Sequence, residues 1–76
     1  MYIVIELQMS AEGGMTHLET IHNSKAEAES KFYSIMAYAA VSEVPVHSAT
    51  VLNEKGEPVM YKSYTHEAHK PEPSEE

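Results

Sequence analysis

The residues best able to do chemistry are histidines, five in a chain of 76 residues. His66-Glu67-Ala68-His69 places two imidazoles three positions apart, which on a helix would aim both at one metal ion. The spacing is not the i,i+4 pattern of the H-E-x-x-H metalloproteases. The competing reading is a solvated pair where a strand gives way to a polar tail. His66 and His69 are therefore the metal-ligand candidates, but no metal or other cofactor is called for. His47-Ser48 has the composition of a nucleophile and its base. Neighbouring residues of a strand point to opposite faces, so these two cannot form that pair. His47 could instead meet a carboxylate such as Glu6 or Glu43 across the fold, giving a general-base dyad, or serve as a structural hydrogen-bonder. It is the one catalytic candidate. Tyr33, Tyr38, Tyr61 and Tyr64 suit either a small-molecule pocket or a protein interface, where aromatic residues are favoured. Gly13-Gly14 lacks the surroundings of a phosphate loop.

Composition narrows the classes. All 12 acidic residues are Glu, the five basic residues are Lys, and the formal charge is −7. Nucleic-acid affinity rests on cationic contacts to phosphate, and Arg, the residue that grips phosphate in two places, is absent. Nucleic-acid partners are therefore not expected. No stretch approaches the ~18 apolar residues of a membrane span, and Met1-Tyr2-Ile3-Val4-Ile5 has no basic region before it and is interrupted by Glu6, so no targeting segment is expected. The expectation is a cytoplasmic protein. Cysteine is absent, which removes disulfides and thiol chemistry. A chain this short buries only about 60% of its unfolded surface, and without a disulfide or metal the remaining means of stabilisation are good packing or a partner subunit.

The elements that must position these residues follow in the order β-β-α-β-β. Residues 2–10 read as a strand with Ile3, Ile5, Leu7 and Met9 on one face; Tyr2 and Val4 make the other face partly apolar, as in an interior strand. Ala11-Glu12-Gly13-Gly14 is a tight connection. Residues 15–22 form a weaker edge strand. Ser24 with Glu27 fits a capping box and opens a helix to Val41, with Glu27–Lys31 as an i,i+4 pair. Pro45 requires the helix to stop before Val44. Residues 46–52 and 58–66 read as a hairpin around Asn53-Glu54-Lys55-Gly56-Glu57, with Gly56 in the left-handed position. These elements predict an α+β fold: one four-stranded antiparallel sheet, spatial order 2-1-3-4, with the helix on one face. Residues 1–66 form the single domain, and 67–76 are expected to be a disordered acidic tail.

The helix carries more apolar surface than one sheet can cover. Ala28, Phe32, Ile35, Met36 and Ala39 form the stripe expected to face Ile3, Ile5, Leu7 and Val51. Ala26, Tyr33, Ala37 and Ala40 widen the apolar arc to roughly 200°, against the ~100° that sheet packing requires. Exposed alanines in a good helix former explain part of this; a neighbouring subunit explains it more fully. Tyr33, Ala37 and Ala40 are the expected interface residues of a homodimer, with the free sheet face, to which Tyr2, Val4 and one face of residues 59–66 would contribute, as the alternative surface.

Three segments together carry a resemblance: Tyr2-Ile3-Val4-Ile5-Glu6-Leu7-Gln8, Ala26-Glu27-Ala28-Glu29-Ser30-Lys31-Phe32-Tyr33, and Ala39 to Ala49. They resemble a group of short uncharacterised proteins from anaerobic Firmicutes and their prophages. The resemblance implies a bacterial or phage accessory protein and transfers no residue role. The expectation is thus a small accessory protein acting by contact with itself and an unidentified protein partner. The alternative is a small dimeric enzyme or ligand-binding protein with a pocket near His47.

Overall fold

The computed structural model describes residues 1–66. The expected acidic tail, 67–76, lies outside them. Strand β1 spans Tyr2–Met9, β2 Met15–His22, helix α1 Lys25–Val41, β3 Val46–Leu52 and β4 Pro58–Thr65. The strands form one antiparallel sheet in the order β2-β1-β3-β4, so this is an α+β fold with its most apolar strand inside. Both β2 and β3 run antiparallel to β1 and are therefore parallel to each other. Joining them requires a crossover, which α1 supplies.

Local chemistry fixes the corners. In the first turn Gly13 has φ 93°, a conformation that costs glycine least, and the Ser10 N–H donates to Gly14 O at 2.7 Å. The second hairpin is organised by Asn53, whose Oδ1 accepts from the N–H groups of Lys55 and Glu57 at 2.9 and 3.0 Å. Gly56 takes the left-handed position there, with φ 81°. A bulge at Val51/Leu52 lets Pro58 pair with Leu52 at the start of β4, where a missing N–H is tolerated. At the helix start the Ser24 Oγ accepts from the Glu27 N–H at 3.1 Å. Ser24→Ala should lower stability by about 1 kcal/mol, read as a lower urea midpoint with an unchanged slope. The ion pair on the helix is Lys25–Glu29 at 4.0 Å, rather than Glu27–Lys31.

The helix end is closed by a distant residue. The Ser42 N–H donates to Ala39 O at 3.2 Å, and the His66 Nε2–H donates to the same carbonyl at 2.9 Å. The His66 backbone N–H donates to Pro45 O at 2.7 Å. The last turn of α1 and the end of β4 are thereby fastened together, which offsets the loss of intrahelical partners at a helix terminus.

The core contains Ala28, Phe32, Ile35, Met36 and Ala39 of the helix, as expected, but against Val4, Ala49 and Val51, with Tyr2, Met60 and Tyr64 packed around them. This corrects the expected facing of β1: Ile3, Ile5 and Leu7 do not lie under the helix. Residues directly opposite across a pair share a face, and Val4 pairs with Val51 while Ile3, Ile5 and Leu7 pair with Leu52, Thr50 and Ser48. Two features favour this choice. Ala49, Ala28 and Ala39 are completely buried and let helix and sheet approach closely. His47 also lies on this face and finds its partner, Glu6, only if the even-numbered side of β1 faces inward.

Candidate functional site

Alternation along β3 sends His47, Ala49 and Val51 toward the helix, and register sets Gln8 opposite His47 on β1 with Ala49 opposite Glu6. From these positions the His47 Nε2–H donates to Glu6 Oε2 at 2.7 Å. The Gln8 Nε2 group donates to the same oxygen at 3.0 Å. The Tyr38 ring meets His47 nearly perpendicular, with centroids 6.1 Å apart. His47 has no exposed surface, and its Nδ1 is buried without a partner. A carboxylate acceptor requires a hydrogen on Nε2.

The dyad expected from the sequence therefore exists, with Glu6 rather than Glu43 as the carboxylate. Its setting does not suit catalysis. A general base needs a free nitrogen within reach of a substrate proton, whereas Nε2 is engaged and Nδ1 is enclosed. Ser48 points to the opposite face of the sheet. Glu6, but not His47, lines a small cavity of about 90 Å³ between the helix and β2, beside Lys31 and Ile35. The pair supports the fold by satisfying polar groups beneath α1.

One of the two metal-ligand candidates lies within the described residues. The His66 Nε2 is committed to Ala39 O, and its ring stacks on Tyr64 with centroids 6.1 Å apart. His69 lies outside the described residues. Among the described residues no group of three or more His or Glu is arranged to hold a metal ion, and no helix is long and apolar enough to cross a membrane.

The interface candidates Tyr33, Ala37 and Ala40 are all exposed. With Met36, Lys62 and Tyr64 they line a groove of about 310 Å³ between α1 and the edge strand β4. A second apolar surface lies on the other side of the sheet. Reversal of the expected facing puts Ile3, Ile5, Leu7 and Met9 in a row along the face of β1 that no described element covers. Ile21 opposes Ile3 and Met15 opposes Met9 on β2, while Leu52 opposes Ile3 on β3. Sequence reasoning missed this surface because it assigned the row to the core; the signal that could have found it was Glu6, an inward partner for a buried histidine.

Among the described residues, the fold and these surfaces define a small α+β protein with one covered and one bare sheet face. No protein-family model, curated protein or solved structure matches the chain.

Proposed function

We propose that this chain is a small accessory protein that acts through protein–protein contact and works as a homodimer. The observation that carries the reading is the half-buried row of Ile3, Ile5, Leu7 and Met9, left uncovered by the helix and flanked on the same face by exposed Met15 and Ile21, to which the exposed flank of Tyr33, Ala37 and Ala40 adds. One helix and one four-stranded sheet bury only part of each other, and contiguous exposed apolar surface on a protein is characteristic of interaction sites. A domain of this size gains proportionately more from a partner than a larger one does.

Chemistry elsewhere in the molecule supports contact rather than catalysis. The histidine–carboxylate pair beneath the helix is enclosed, and the excess of Glu over Lys disfavours a nucleic-acid partner. The absence of cysteine suits the reducing cytoplasm, where we place the protein. An accessory role in a bacterium or its prophage is what the resemblance of the three segments implies.

Sedimentation velocity over a range of concentrations tests the reading. The expected result is a species of twice the 8.5 kDa chain mass that dissociates on dilution. A single species at the chain mass up to high micromolar concentration would refute it.

A further inference from the structure

The geometry points to a particular surface and occupant: the bare face of the sheet is a self-association surface that takes the same face of a second copy of this chain. The inference rests on the homodimer reading and specifies it. Its first support is the distribution of charge. Of the Glu and Lys residues among those described, only Glu19 stands on the bare face. Glu6 and Lys62 lie on the helix side of the sheet, the helix carries Lys25, Glu27, Glu29 and Lys31, and the rest occupy turns and connections. Two copies of a chain with a formal charge of −7 repel each other wherever they meet through charged surface. The bare face is where that repulsion is smallest. A basic partner would be drawn to the acidic surfaces instead.

The pattern within the face also fits a two-fold contact. Its interior is the β1–β3 pair, with Ile3, Ile5 and Leu7 opposite Leu52, Thr50 and Ser48. Glu19 and His17, whose ionisable atoms are 3.6 Å apart, lie on β2, the outer strand. Tyr61 lies on β4 at the other margin. An apolar centre with a polar rim is the usual anatomy of a specific interface. Short hydroxyl side chains at Ser48, Thr50 and Ser63 keep the middle low enough for two sheets to stack at about 10 Å.

The area approaches the lower bound of a specific interface. Eight residues at ~3.4 Å by four strands at ~4.8 Å give a flat footprint of roughly 500 Å² per copy. Upright side chains raise the accessible area above the footprint, toward the ~600 Å² per partner at which specific interfaces begin. The helix–β4 groove is narrower and has Lys62 in its lining, so pairing two copies there would confine two ammonium groups.

The test compares single substitutions by sedimentation velocity and circular dichroism. Ile5→Glu alters the middle of the face. Ile21→Glu and Tyr61→Glu alter positions that are 64% and 66% exposed, so these variants keep the fold even if Ile5→Glu does not. Ala37→Glu alters the helix flank with the same added charge. The inference expects at least a tenfold weaker dimer for Ile21→Glu and Tyr61→Glu, a monomer for folded Ile5→Glu, and a dimer within threefold of the parent for Ala37→Glu. A dimeric parent that becomes monomeric with Ala37→Glu, but not with the sheet variants, overturns the inference and leaves the homodimer reading standing. A dimer that survives all four substitutions also overturns it and points to pairing along a strand edge. A monomeric parent overturns both.

Discussion

Val4→Glu unfolds the domain, whereas Ile5→Glu, one residue away, leaves a folded chain. Val4 is 1% exposed beneath the helix and opposes Val51. A glutamate there must bring its carboxylate under α1, where Lys31 lines the adjoining cavity, or force the helix away from the sheet. Desolvating a carboxylate in a core costs several kcal/mol, and the longer side chain adds overpacking of about 1–3 kcal/mol. A chain of this length has roughly 4–11 kcal/mol to lose. Ile5 points to the bare face, where a carboxylate reaches water in the single chain; its direct cost is limited to lost cross-strand packing of about 0.2–1 kcal/mol. Far-UV circular dichroism and thermal melting at low concentration separate the two. Equal loss of structure in both variants would contradict the facing of β1.

The second large effect concerns the buried pair. Glu6→Leu deprives the His47 Nε2–H of its acceptor in a place closed to water. A buried donor left unsatisfied costs about 1–3 kcal/mol. His47→Leu leaves Glu6 on the margin of its cavity, where its side chain is 15% exposed, and Gln8 still donates to it. The double variant removes both polar groups and can be nearly neutral, as when a buried polar pair is replaced by apolar groups of similar shape. Urea unfolding of the four proteins at one fixed concentration should give a double-variant loss smaller than the sum of the singles by about 1–2 kcal/mol. Strict additivity would mean that the 2.7 Å contact does not couple the residues.

The order of elements was readable because each boundary had a local cause. Ser24 could cap, Pro45 could not continue a helix, and Gly56 suited the left-handed corner. Spatial order followed from placing the most apolar strand inside. The facing of β1 was not readable by the same means. Period-two alternation separates two faces but does not say which is inward, and here Tyr2 and Val4 compete with Ile3, Ile5, Leu7 and Met9. The decision belongs to cross-strand partners: His47, buried on β3, needs Glu6, and Val51 needs Val4. That pairing spans 41 positions of sequence and depends on register, which no local pattern encodes. The same displacement moved the apolar excess. It was legible on the helix, at Tyr33, Ala37 and Ala40, but part of it lies on the sheet.

A domain that hides only one face of its sheet makes the mass of the particle the central quantity. Sedimentation velocity of the parent chain beside Tyr61→Glu measures it most directly. The account predicts a dimer for the parent, in exchange with monomer on dilution, and for Tyr61→Glu a folded chain whose dimer is at least tenfold weaker under the same conditions. A parent that remains a single chain at every concentration, with Ile3, Ile5 and Leu7 facing water, would contradict it.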